Sequence, residues 1–287
     1  MTKELWLKSG YGLGNKLRTL YSYQALASQF NYSLRLCWPL FNNLWENHLS
    51  IISQDTFDKL YFNKSEIPKF GSHGNRPCSE VRAELQKGTP QILISTGSPQ
   101  QPHALKIPKE DYLINKHKYY NSLRLASSIR DRIKKYTKNL KGRRVAGLQF
   151  RGGDAVKIGR SGTIEEYISY IKPHIDEFDL FYATSNDQAF IDKLAEFFPS
   201  KEILFLSRPE VLPDSTVKAV PGRFPKEEVQ LSGGSFWNNE KFTGLMQSDL
   251  IDWYILGHMN TIFFSRQSSF GEEASFLSMP FRSVHCC

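Results

Sequence analysis

Cysteine is nearly missing from this chain. Cys37, Cys78, Cys286 and Cys287 are the four among 287 residues, too few and too scattered for a disulfide framework, which points to a reducing compartment. The final Cys286-Cys287 pair reads as a loose tail rather than a lipidation signal. No run of about 18 apolar residues occurs, so no segment is expected to cross a bilayer. Met1-Thr2-Lys3-Glu4-Leu5 carries charge where a secretory core would begin, so no signal peptide is expected and the expected location is cytoplasmic. His48, His73, His103 and His117 show no metal-ligand spacing, so no metal is expected. There is no internal repeat and no low-complexity segment. Acidic residues are in deficit: 29 against 37 Lys and Arg, a formal net charge of +8. That balance suits nucleotide diphosphates, anionic lipid headgroups, acidic polysaccharide or nucleic acid, and does not choose among them.

What is present is an ordered alternation of strands and helices. The chain is 40% hydrophobic and long enough for two domains of common size, so it should be globular. Leu5-Trp6-Leu7 reads as a strand, a helix is expected from about Lys16 to Phe30, and Ser33-Leu34-Arg35-Leu36-Cys37-Trp38 reads as a second strand stopped by Pro39. Residues 40–120 are turn-rich, with Gln91-Ile92-Leu93-Ile94-Ser95 as one strand. Leu125, Ile129, Ile133, Tyr136 and Leu140 recur at helical spacing among basic residues, and this helix is expected to close a first domain over 1–140. In 141–287, strands are expected near Val145, Leu180, Ile203 and Thr261, and helices near Ile164, Gln188 and Leu250. Thr163-Ile164-Glu165-Glu166 has capping-box form, and Pro173 should kink the helix that follows. Residues 208–243 are a long polar interruption with four prolines. Such regular alternation predicts parallel α/β architecture.

Three places could hold an anion. Gly12-Leu13-Gly14-Asn15 sits between a strand and a helix, where backbone N–H groups favour negative charge. It is neither a dinucleotide fingerprint, because Leu17 and Arg35 stand in the wrong places, nor a P-loop; a plain tight turn accounts for it equally. Val145-Ala146-Gly147-Leu148-Gln149-Phe150 reads as a strand buried on both faces. It ends on Arg151-Gly152-Gly153-Asp154, placing a guanidinium fork and close-approach glycines at the mouth of a parallel sheet. Ser269 with Glu272 has capping-box spacing, so a helix is expected to begin there, aimed at the same edge as Arg151.

With these residues in view, the chain resembles the GDP-fucose fucosyltransferase superfamily, which includes protein O-fucosyltransferases, the N-glycan α1,6-fucosyltransferase and the nodulation fucosyltransferase. Gly12-Leu13-Gly14-Asn15 is similar to the family's Gly-x-Gly-Asn loop. Leu148 through Asp154 is similar to its His-x-Arg-Arg-x-Asp peptide, and Asp252 through Phe270 to its last helix–strand–Ser-Ser-Phe segment. The resemblance implies a GT-B-like enzyme: two Rossmann-like domains facing a central cleft, with 1–140 mainly binding acceptor and 141–287 binding the nucleotide sugar. It implies inverting, metal-independent transfer of fucose from GDP-fucose to a glycan or protein hydroxyl, without a cofactor. None of the twelve aspartates lies two positions from another, so the Asp-x-Asp metal motif of another glycosyltransferase architecture is absent from the sequence.

Carried over position by position, the resemblance assigns Arg151 to the diphosphate. Gly12, Gly14 and Asn15 would line the donor pocket, and Asp252 would meet the guanine edge. Ser268, Ser269 and Phe270 would hold phosphate and nucleoside. Arg151 and Asp154 are the catalytic candidates, Asp154 as general base, with Glu165 read as a helix-capping residue instead. Two departures bear on specificity. Gln149 stands where most members have histidine, and Gly152 where many have a second arginine, for which Arg160 or Lys157 are the substitutes at hand. The expected partners are a nucleotide-sugar donor and a glycan or glycoconjugate acceptor, with peripheral association at an inner membrane face and no nucleic acid. The alternatives are a transferase using another nucleotide sugar, or a basic α/β protein that binds nucleotides or nucleic acid without catalysis.

Overall fold

A computed structural model describes residues 2–9, 12–38, 44–46, 49–51, 54–71, 78–96, 99, 105–152, 156, 159, 161–185, 188–206, 243–277 and 283–286. They form two parallel sheets, each with its own core. The expected Asp154, Lys157 and Arg160 sites and the polar interruption at 208–243, except its last residue, lie outside the described residues.

The first sheet has strand order β2-β1-β4-β3, with β1 Glu4–Lys8, β2 Ser33–Leu36, β3 Lys69–Gly71 and β4 Gln91–Ser95. All its pairings are parallel, with Leu5 registered on Leu34 and on Ile92. Leu5 and Leu7 on one face and Trp6 on the other are all buried, as a two-sided strand requires. The connecting helices are α1 Leu13–Gln29, α2 Gln54–Asn63 and α3 Cys78–Lys87, followed by α4 Lys109–Ser122. The Tyr120 hydroxyl of α4 donates to the Leu17 carbonyl of α1 at 2.9 Å. Helix α1 begins at Leu13, earlier than the expected Lys16, so Gly14 and Asn15 lie in its first turn.

Helix α5, Ser127–Thr137, buries Ile129 and Ile133 as the periodicity predicts and runs into a 3-10 turn at Lys138–Leu140. It groups with the second compact unit, not at the close of the first: the first unit takes the described residues through Ala126 with the helix start at 243–246, and the second takes the described residues from Ser127 onward otherwise. The reason is local. Arg132 on α5 donates to the Gln247 side chain at 3.1 Å, within that second unit.

The second sheet has order β7-β6-β5-β8-β9, all parallel. Its strands are β5 Val145–Phe150, β6 Leu180–Ser185, β7 Glu202–Phe205, β8 Thr261–Phe264 and β9 Ser283–Cys286. Strand β9 corrects the reading of the last residues as a loose tail, since Thr261 through Phe264 pair with Ser283 through Cys286. Helices α6 Ile164–Ile171, α7 Gln188–Phe197 and α9 Ser269–Ser275 complete the unit, together with α8 Thr243–Gly257 from Gln247 on. The Thr163–Glu166 capping box forms in full, and a 3-10 turn at Lys172–Glu177 follows α6 where Pro173 interrupts it.

Every residue of β5 is buried, and alternation sends its two sides to different cores. Ala146, Leu148 and Phe150 pack with Tyr167, Ile168 and Ile171 of α6 and with Phe190 and Leu194 of α7. Phe150 stacks on Phe190 with centroids 4.8 Å apart and meets Tyr167 edge-on at 5.4 Å. Full burial of such a ring contributes about 2–3 kcal/mol. On the other side Gly147 lies under α8, where an added Cβ would come within 2.5 Å of the Leu256 side chain.

Candidate active site

In an open parallel sheet, ligands bind beyond the carboxyl ends of the strands where the winding order reverses. In the second unit that reversal falls between β5, whose chain winds outward through β6 and β7, and β8, which continues to β9. Arg151 leaves β5 at this point, and residues 265–268 leave β8 beside it.

Backbone and hydroxyl groups join the two strand ends. The Ser265 N–H donates to the Gln149 carbonyl at 2.9 Å, and the Arg151 N–H donates to Ser265 Oγ at 2.9 Å. The Ser268 N–H then closes a turn onto the Ser265 carbonyl at 3.0 Å. Gln267 takes φ of 60° at the third position of that turn, a left-handed conformation that costs a non-glycine residue about 1–2 kcal/mol. Sequence reasoning missed Ser265. Its signal was a serine directly after an apolar strand, three residues ahead of Ser268.

Helix α9 starts one residue earlier in its capping than Ser269–Glu272 spacing suggested. The cap is Ser268, whose Oγ accepts the Gly271 N–H at 3.3 Å, and Ser269 is the first helical residue. Both serines are buried, and Phe270 is half-buried. An α-helix leaves its first N–H groups without intrahelical acceptors, and here they belong to the loop attached to Arg151. Gly271 allows this seating: a Cβ there would come within 2.7 Å of the Phe264 Cγ and 2.8 Å of Gln149 Oε1.

Gln149 lies 95% buried beneath α9, and its Oε1 has no hydrogen-bond partner among the described residues. Its register neighbour on β6 is Thr184, and Gly147 pairs with Tyr182. Those two side chains hold Asp252 of α8: the Tyr182 hydroxyl donates to Oδ1 at 2.6 Å and Thr184 Oγ1 to Oδ2 at 3.0 Å. Asp252 is therefore a buried carboxylate braced by the sheet, on the face of β5 and β6 that carries Gln149. The tyrosine and threonine behind it were not legible as site residues, because each is an ordinary strand former.

Gln149, Arg151, Asp252, Ser268, Ser269 and Phe270 thus belong to one unit, with the Arg151 and Ser268 backbones tied through Ser265. Gly152 is buried and does not use positive φ. Glu165 is exposed and paired with Lys193, whose hydrogen bond holds its carboxyl below the usual range, which makes it a weaker base.

Gly12, Gly14 and Asn15 belong to the first unit, at the mouth of β1. Gly12 is the N-cap of α1, extended at φ −68° and ψ 176°, with no side-chain cap hydrogen bond. The glycines there do not supply positive φ. Asn15 is half-buried, and its Oδ1 is 3.5 Å from an Arg18 guanidinium nitrogen. Beneath it Lys16 is fully buried, and its Nζ donates to the Ser9 carbonyl at 2.7 Å. Trp38 Nε1 donates to Ser9 Oγ at 2.7 Å, so the end of β1 is held from two sides. Burial pushes the Lys16 ammonium down to about 7, with nearby Lys8 adding to the effect and the Cys37 thiol opposing it. Among the described residues no cluster of metal-ligating side chains occurs.

No protein-family description and no curated protein sequence matches the chain. Solved structures do. The chain is similar to NodZ α-1,6-fucosyltransferase soaked with GDP-fucose, at 16% identity and a TM-score of 0.59, over 96% of this chain and 93% of that one. POFUT1 in complex with GDP-fucose superposes at 10% identity and a TM-score of 0.59, over 100% of this chain and 98% of that one. A mutant of Arabidopsis thaliana FUT1 in complex with GDP superposes at 14% identity and a TM-score of 0.62, over 96% of this chain and 69% of that one. Over nearly its whole length, then, the chain has the GT-B-type α/β fold of these fucosyltransferases.

Proposed function

We propose that the protein is an inverting glycosyltransferase that moves fucose from GDP-fucose to a hydroxyl of a glycan or glycoconjugate, without a metal or cofactor. The observation that carries this reading is the junction at the second sheet's reversal. The backbone of Arg151 and the turn that leads into α9 are both bonded to Ser265, at the place where a diphosphate would sit. The GDP or GDP-fucose bound in the solved structures of the same fold supports the choice of donor.

In this reading the bond between the sugar C1 and the β-phosphate oxygen breaks as the acceptor oxygen attacks C1 from the opposite side. The electron pair leaves with GDP, and the sugar passes through an oxocarbenium-like state. The Arg151 guanidinium and the first N–H groups of α9 meet the negative charge that develops on the leaving diphosphate. Asp252 takes hydrogen bonds from the guanine edge while Tyr182 and Thr184 hold it in place, and Gln149 accepts one more donor near Phe270. Gly12, Gly14 and Asn15, on the first unit, are the further donor-binding candidates. The acceptor proton goes to a carboxylate base, for which Asp154 is the candidate. The first unit binds mainly acceptor, the second mainly donor, and the product belongs to glycan biosynthesis. A cytoplasmic setting at the inner face of a membrane fits the scarcity of cysteine.

Thermal shift and hydrolysis across a panel of nucleotide sugars test the donor. GDP and GDP-fucose should raise the melting temperature in proportion to affinity, while UDP-sugars leave it unchanged. A shift with UDP-sugars and none with any GDP compound would overturn the assignment.

A further inference from the structure

The chain's positive charge is not spread evenly. Residues 132–144 hold Arg132, Lys134, Lys135, Lys138, Lys141, Arg143 and Arg144 and no acid, so seven of the net +8 charges fall in one short stretch. Some of these cations are occupied. Arg143 pairs with Glu202 at 2.5 Å, Arg144 with Asp179 at 2.7 Å, and Lys134 with the exposed Asp131 at 3.4 Å. Lys135, Lys138 and Lys141 are exposed and have no ion-pair partner among the described residues. On α5 the buried side is marked by Ile129 and Ile133, and helical spacing sets Lys134 and Lys135 on the side away from them, with Lys138 exposed in the 3-10 turn that follows.

The strip precedes β5 and therefore lies at the amino-terminal edge of the second sheet, opposite the edge where Arg151 and residues 265–268 meet. The Arg143–Glu202 pair ties it to the start of β7, and Phe197, at the end of α7 on that same edge, is 52% exposed. Lysines on flexible stems suit a headgroup layer, where ammonium groups reach phosphates, and an exposed ring at the same sheet edge suits the interface. A nucleic acid strand would call for several stacked aromatics interleaved with the cations, and this strip holds a single one, the half-buried Tyr136.

We propose that this strip, centred on Lys135, Lys138 and Lys141, docks the protein on an anionic lipid bilayer. This leaves the opposite, ligand-facing edge of the sheet unobstructed, and it holds whichever nucleotide sugar the second unit takes. The attraction is mainly electrostatic, because the apolar side of α5 is already buried, so it should fall steeply with salt.

Co-sedimentation of the full chain with vesicles tests it. Phosphatidylcholine vesicles containing phosphatidylglycerol should pull the protein down, and pure phosphatidylcholine vesicles should not. About 0.5 M salt should release it. Each of Lys135→Gln, Lys138→Gln and Lys141→Gln should weaken binding about fivefold, and the three together about 100-fold. The melting temperature and the response to GDP should stay unchanged. Equal binding to neutral vesicles would overturn the proposal. So would a triple variant that binds like the parent, or tighter binding to duplex DNA than to the anionic vesicles at equal phosphate concentration.

Discussion

The two parallel sheets present their carboxyl ends differently. The mouth of β5 carries Arg151 and leads, through Ser265, to a helix capped by the Ser268 side chain, with the Arg151 and Ser268 backbone N–H groups both bonded to Ser265. The mouth of β1 leads into a helix with a glycine cap and no side-chain cap bond, and the cation nearest that turn points inward. Lys16 is fully buried and its pKa falls to about 7, so at neutral pH only part of the molecules carry charge there. Arg151 stays half exposed, and an arginine remains charged under all ordinary conditions. A permanent charge at a mouth suits a diphosphate. A desolvated lysine suits the bracing of a turn. Two parallel sheets of different strand order are thus fitted for two tasks by where a single cation is placed.

Three measurements would break or sharpen this contrast. The largest effect should come from Arg151→Ala, which ought to lower transfer by about 10²–10³ or more while leaving the melting temperature nearly unchanged. An Arg151→Ala protein with parental activity would erase the asymmetry between the mouths.

A smaller effect is expected from Gly271→Ala. The new methyl group would press on Phe264 and Gln149 Oε1, and relieving it should cost about 1–3 kcal/mol. Helix α9 must lift for this, so GDP affinity should fall as well. Gly142→Ala makes the control: its φ of 78° is strained for alanine, but nothing lies within 4 Å, so stability should drop without loss of GDP binding.

The last measurement concerns Lys16. Its folded pKa of about 7 lies below the ordinary 10.5, so between these values the unfolded chain binds more protons than the folded one. Stability should therefore rise with pH across that window, by at most about 1.4 kcal/mol per unit, and level off below pH 7. Urea midpoints at pH 7 and 9.5 should show the rise in the parent and a reduced rise in Lys16→Met. Parallel behaviour of the two would mean that Lys16 is not desolvated in solution.

Local signals were legible and long-range ones were not. The Thr163–Glu166 capping box could be read directly because both partners lie within one turn. Ser268 and Ser269 offer the same local chemistry, and the choice of Ser268 as cap follows from the close seating of Gly271 on Phe264 and Gln149, two separate strands away. The helix α5 was readable from its isoleucine spacing, but its membership was not, since that depends on contacts such as Arg132 to Gln247. Strand β9 was unreadable because an edge strand of four residues has too short a pattern, and its pairing with Thr261 through Phe264 decides it. Residues 40–120 gave little periodicity, and the short elements there are set by packing around β1 and β4.

By itself the order of residues determined the alternation of strands and helices, the apolar run that had to be buried on both sides, and the placement of Arg151 directly after it. These are properties of neighbours, carried by periodicity and by caps within four residues. Only tertiary structure decided that β8 returns to lie beside β5, which brings Ser265 under the Arg151 amide, and that Lys16 turns inward while Arg151 does not. Strand pairing across more than a hundred residues and the desolvation of a side chain both depend on what the rest of the chain packs around them, and no local pattern encodes that.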